Sequence, residues 1–106
     1  MKEIKAYIHR NRIADVVHAL EAAGFRNLAV IDVKGMLRAL DPKEQDYSAE
    51  IGEKVISEVK LEMVCQDEDR LAEAVRLIRE HGRTGQRVAG WIYITEIAEA
   101  IPIDGK

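Results

Sequence analysis

The chain has 106 residues, 47% of them hydrophobic and 33% charged, a balance that fits one globular domain and excludes a disordered chain. Sixteen Lys and Arg against nineteen Asp and Glu leave a formal charge of −3 with the signs interspersed, which excludes the basic stripe of a nucleic-acid binder. One cysteine, Cys65, excludes an internal disulfide and a CxxC metal site; no stretch has the length of a membrane span or the apolar core of a signal peptide, so a cytoplasmic domain is expected.

Residues 2–9 (KEIKAYIH) alternate, with Ile4, Ala6 and Ile8 on one side and Lys5, Tyr7 and His9 on the other, which predicts a strand. Asn11 is placed to cap a helix whose apolar positions Ile13, Val16, Val17 and Leu20 follow the helical period, with Gly24 at its end. Residues 27–34 (NLAVIDVK) read as a second strand. The next stretch, residues 35–54 (GMLRALDPKEQDYSAEIGEK), contains Pro42 and two glycines and has no regular apolar spacing. A connection this long is either a functional loop or a hairpin with long arms, and length favours the loop. Tyr47 and Ser48 near its tip are hydroxyls open to modification.

Alternation resumes over residues 55–65 (VISEVKLEMVC), placing Val59, Leu61, Met63 and Cys65 on one face, with Cys65 a core residue. Asp67 caps a helix with Leu71, Ala74, Val75 and Ile78 on one stripe, ending near Gly82. The segment HGRTGQRVAGWIYI, residues 81–94, then breaks into a strand over residues 91–96. Its glycines suit either a loop that lets backbone approach a phosphate or an ordinary helix-to-strand connection. The order is β-α-β-β-α-β, which predicts a single α+β domain, residues 1–106, of ferredoxin-like type: a four-stranded antiparallel sheet with both helices on one face. The second strand sets Leu28 and Val30 against Ala29, Ile31 and Val33, and the last sets Ile92 and Ile94 against Trp91 and Tyr93. Apolar residues on both sides imply that the second face is covered too, most simply by other copies in a closed ring.

These features together resemble the PII signalling family, trimeric regulators of nitrogen control. The resemblance rests on the opening MKEIKAYI, the VKGM at residues 33–36, the long loop after it, VKLEMV at residues 59–64, and TGxxxxG at residues 84–90 followed by WIYI. It implies a homotrimer with a T-loop at about residues 35–54 and a B-loop at about residues 82–90. It also implies a small effector in a cleft between subunits, and control of a partner such as a membrane transporter or a regulatory enzyme through the T-loop. Carried over position by position, the cleft residues are Gly35, Arg38, Thr84, Gly85 and Gly90, with Gln86 and Arg87 beside them.

Departures from the family pattern are as informative. Val88 and Ala89 stand where it has glycine and aspartate, Trp91 replaces a phosphate-pairing lysine, and Pro102 and Asp104 replace two arginines. Glu58 and Ala39 replace a lysine and a glutamine that serve 2-oxoglutarate, and Ile51 replaces a modifiable tyrosine. Standard magnesium–ATP and 2-oxoglutarate binding is therefore not expected, since a charge-assisted hydrogen bond from each missing cation would be worth roughly 1.5–3 kcal/mol. Arg83 or Arg87 can replace one of those cations. Trp91 is expected at a subunit interface, with stacking on a ligand base as the alternative.

No nucleophile–histidine–acid set or carboxylate pair points to an enzyme. The alternative function is a metal-binding or metal-tolerance protein of the same trimeric fold, with His9 and His81 as ligands that could meet across an interface, joined by Cys65 or acidic side chains.

Overall fold

The computed structural model describes residues 1–32 and 58–105. The expected T-loop, with Gly35 and Arg38, lies outside the described residues. The chain runs β1 (Lys2–His9), a 3₁₀ turn (Arg10–Arg12), α1 (Ile13–Ala22), β2 (Ala29–Ile31), β3 (Glu58–Cys65), α2 (Glu68–His81) and β4 (Gly90–Glu96). The strands lie in the order β2-β3-β1-β4, each antiparallel to its neighbour. β1 and β2 are thus parallel and separated by β3, the split βαβ arrangement of the ferredoxin-like fold that the sequence predicts.

Strand periodicity fixes which side chains enter the core. Ile4, Ala6 and Ile8 of β1 lie opposite Met63, Leu61 and Val59 of β3, and all six are buried. On the other flank Ile4 and Ala6 face Ile94 and Ile92 of β4. Val16 and Leu20 of α1 and Leu71, Ala74, Leu77 and Ile78 of α2 close this side of the sheet. Leu77 belongs to the buried stripe of α2 although the pattern read from the sequence passes over it. Burial of such side chains stabilises the fold by about 1.5–3 kcal/mol each.

Three local features differ from expectation. β2 does not begin at residue 27, because Asn27 has a φ of 57°, a left-handed conformation that turns the chain rather than extending it. Its described strand is only Ala29–Ile31. Asn11 does not cap α1: the N-cap position belongs to Arg12, which makes no side-chain cap bond. Asn11 instead donates its backbone N–H to Nδ1 of His9 at 3.2 Å, and this bond starts the 3₁₀ turn that precedes the helix.

The other helix ends follow the sequence. Asp67 accepts the backbone N–H of Arg70 at 2.8 Å, capping α2. α1 closes with Phe25 N–H on the Leu20 carbonyl and Gly24 N–H on the Glu21 carbonyl, both at 3.0 Å, while Gly24 takes the positive φ this closure needs. Each helix also lends an arginine to the far end of the other. Arg12, at the start of α1, donates Nε–H to the carbonyl of His81 at the end of α2, at 3.0 Å. Arg70, in the first turn of α2, donates to the carbonyl of Ala23 at 3.1 Å, and its guanidinium lies 3.7 Å from the Phe25 ring centroid.

The face of the sheet away from the helices is mixed rather than uniformly apolar. Its centre carries Glu3 paired with Lys5 at 3.5 Å and Lys60 paired with Glu62 at 2.9 Å. The Lys60 contact holds the Glu62 carboxyl below the usual carboxylate range. Apolar side chains lie toward the edges: Ile31, Val64, Trp91 and Tyr93 are all exposed on the chain alone, and Tyr93 meets Tyr7 edge to face at 5.9 Å.

Two measurements check this packing. A Cβ on Gly90 would run into the backbone carbonyl of Tyr7, so Gly90→Ala is expected to cost about 3 kcal/mol in urea denaturation. Cys65 is 4% exposed, and burial pushes its thiol pKa up, with Arg70 pulling it part way back and Asp67 adding to the rise. An aromatic disulfide reagent at pH 8 is therefore expected to label the native protein at least about 100-fold more slowly than the urea-unfolded chain.

Candidate functional site

A cleft of about 510 Å³ opens where α2 gives way to β4, within the size range of small-ligand sites. β1 supplies Tyr7 and Ile8, α2 supplies Ile78 and Arg79, and β4 supplies Gly90, Trp91 and Ile92. The connection between α2 and β4 forms the rest of its wall.

The local sequence explains the shape of that connection. α2 stops at His81, where Gly82 donates its N–H to the Ile78 carbonyl at 2.9 Å. Thr84 then accepts the Gln86 N–H on its hydroxyl at 3.3 Å, a side-chain turn. Gly85 follows with a φ of 87°, which disfavours any residue with a Cβ. The space beside it is open, since an added Cβ would meet nothing within 4 Å. Gly85 therefore bends the loop and leaves its backbone accessible to a ligand, whereas Gly90 lets β4 approach β1.

Of the residues that the sequence nominates, the fold brings Gly85, Gln86, Arg87 and Gly90 together on the cleft. Thr84 is absent from its lining and shapes the turn. Among the described residues no group of three or more His, Cys, Asp or Glu, His9 and His81 included, is placed to hold an ion within one chain. His9 spends its Nδ1 on the 3₁₀ turn instead. The metal-binding alternative gains no support. Val88 and Ala89 line the cleft, and Trp91, 55% exposed, stands at its border with the open sheet face.

Arg79 is the site residue that the sequence pattern leaves inconspicuous, and Arg83, read there as a replacement cation, joins it on the cleft. Among the described residues Arg10, Arg12, Arg70 and Arg76 each meet a carboxylate, at 2.6, 2.9, 2.7 and 3.1 Å respectively. Arg79, Arg83 and Arg87 meet none, and all three line this one cleft; Arg26 is the other arginine without a carboxylate. Arg76 and Arg79 stand three residues apart on one face of α2, and Arg83 follows two residues after the helix ends at His81. A protein with net negative charge thus concentrates uncompensated guanidinium groups around a bent, accessible backbone. Such a set suits an oxyanion with several acceptor oxygens.

Fold and cleft together define a small ferredoxin-like α+β protein with a glycine-turned loop after its second helix. The family model for nitrogen regulatory protein P-II matches residues 1–105. Nitrogen regulatory protein P-II 1 of Methanothermobacter thermautotrophicus is 33% identical over 103 residues, covering 97% of this chain and 89% of that protein. Nitrogen regulatory protein P-II of Rhodobacter capsulatus is 35% identical, covering 97% and 91%. The crystal structure of Arabidopsis thaliana PII bound to citrate is similar with a TM-score of 0.70 at 26% identity, covering 96% of this chain and 81% of that one. The chain belongs to the nitrogen regulatory protein P-II family, and the expected resemblance is borne out over nearly its whole length.

Proposed function

We propose that this P-II family regulatory protein is a cytoplasmic homotrimer that senses a small multivalent anion in the α2–β4 cleft. Residues 35–54 pass the bound state to a partner protein such as a transporter. The carrying observation is the gathering of Arg79, Arg83 and Arg87, none ion-paired among the described residues, around Gly85. On this reading the protein acts as a regulator, in keeping with its membership of the nitrogen regulatory protein P-II family.

The effector differs from magnesium–ATP with 2-oxoglutarate. Trp91, Pro102 and Asp104 stand where the family pattern has cations, and Glu58 repels a dicarboxylate. A shorter anion suits the three remaining arginines. The Arabidopsis protein provides a precedent in kind, since its structure was obtained with citrate, a small polycarboxylate.

Titration calorimetry with pyrophosphate, citrate, AMP, ADP and ATP tests the effector class. We expect binding of at least one of the smaller anions, more tightly than ATP, and affinity lower by at least about tenfold in Arg87→Ala, the value of one charge-assisted hydrogen bond. Tight magnesium-dependent ATP binding enhanced by 2-oxoglutarate would instead make this a conventional nitrogen sensor. Light scattering coupled to size exclusion tests assembly, with an expected mass of about three times the 12.0 kDa chain. A clean monomer would remove the inter-subunit site.

A further inference from the structure

The turn between β1 and α1, residues 9–12, has contacts at both ends of the 33–57 segment and at the start of the cleft wall. Arg10 forks its two Nη atoms onto the Asp32 carboxylate, at 2.6 and 2.9 Å. The chain enters residues 33–57 directly after Asp32 and returns at Glu58, which lies opposite His9 in the β1–β3 register. Two residues beyond Arg10, Arg12 donates Nε–H to the His81 carbonyl at 3.0 Å. His81 is the last residue of α2, and Gly82 after it lines the cleft.

The turn is held in one shape. The Asn11 N–H on Nδ1 of His9 starts it at 3.2 Å, and it runs straight into α1 without a break. Both of its arms are fixed in direction as well as in length. A two-bond fork sets the plane of the Arg10 guanidinium against Asp32. Arg12 is gripped twice, by the His81 carbonyl through Nε and by Asp15 through Nη1 at 2.9 Å. Arg10, Arg12 and Asp32 do not line the cleft, so any influence of theirs on it passes through this turn.

We propose that residues 9–12 are the mechanical link between the end of β2 and the cleft, with Arg10 and Arg12 as its positioning residues. A shift of Asp32 turns the fork on Arg10, and the same turn changes the hold of Arg12 on the last carbonyl of α2. The start of the α2–β4 loop then loosens or tightens with the position of Asp32. Linkage makes the effect reciprocal: an anion that orders the loop after Gly82 tightens the Asp32 contact in return. That regulatory use rests on the anion-sensing reading; the link between Asp32 and the end of α2 does not.

The two parts are therefore tested separately. Amide exchange on the full chain without ligand tests the link, with the Gly82 N–H, bonded to the Ile78 carbonyl at 2.9 Å, as reporter. Asp32→Ala is expected to speed its exchange at least about threefold. The Arg70 N–H, bonded to Asp67 at the other end of α2, is the control and is expected to stay unchanged. In an Arg12→Ala background, where Gly82 already exchanges faster, Asp32→Ala is expected to add nothing further. Arg10→Gln breaks the same fork from the other side and replaces Asp32→Ala if that variant folds poorly. An unchanged Gly82 overturns the proposal, as does equal acceleration at Gly82 and Arg70, which marks general destabilisation. So does an Asp32→Ala effect that persists undiminished without Arg12. Pyrophosphate calorimetry tests the regulatory use: Asp32→Ala is expected to bind about threefold to tenfold more weakly than wild type. Equal affinity overturns that use alone. A wild-type chain that binds neither pyrophosphate nor citrate removes the sensing reading, and amide exchange still decides the link.

Discussion

Where β4 can begin is decided by one backbone contact. The carbonyl of Tyr7 occupies the space that a side chain at position 90 would need, so only glycine lets the fourth strand close on β1 in the observed register. Because Ile8 lies opposite Gly90, the connection from Gly82 to Ala89 must return the chain from the end of α2 to this fixed point. Eight residues are more than that return needs. The surplus forms the bent loop at Gly85 and, with the last turns of α2, the cleft wall. The arginines are held by different structures for this reason: Arg79 by a packed helix, Arg83 and Arg87 by a loop anchored at both ends.

The second face of the sheet pairs its central charges with one another. Exposed ion pairs such as Glu3–Lys5 and Lys60–Glu62 contribute little in water. Their value changes when another surface is laid over them. Each of these four charges already has its opposite within reach, so covering them leaves none of the four uncompensated, while Ile31, Val64 and Trp91 supply apolar area around them. A face with the same apolar rim and an unpaired lysine at its centre would resist burial by several kcal/mol.

Most of the fold was legible in the sequence because it depends on period. The alternation in β1 and β3 maps onto buried and partly buried positions, and the Asp67 cap and the closure at Gly24 depend on neighbours in the chain. Asn11 misled because two residues nearby could each supply a cap-like acceptor, and the imidazole of His9 took the role by starting a tighter turn first. Asn27 looked like the first residue of an alternating stretch; its φ is set by the path from α1 to the sheet, which no local pattern records. The site was less legible for a related reason. Gly85, Gln86 and Arg87 announced themselves as a loop with Arg83 beside them as a replacement cation, but Arg79 had the look of any residue on a solvated helix face. What distinguishes it is the lack of carboxylates beside it in space, and that is a property of the whole fold.

The exchange of arginines between helix ends ties the two halves of the chain into one unit. The carbonyl at the end of α1 is satisfied by Arg70 from the second βαβ half, and the carbonyl at the end of α2 by Arg12 from the first. Neither half carries the cation that finishes its own helix. A gene cut within residues 33–57 would thus yield two fragments, each with a frayed helix and an exposed sheet face, that recover their caps only by reassociating. Duplication of a single half, the simplest route to a pseudo-symmetric sheet, would leave each copy's helix end dependent on an arginine carried by the other copy. The fold is symmetric in outline and obligately reciprocal in its chemistry.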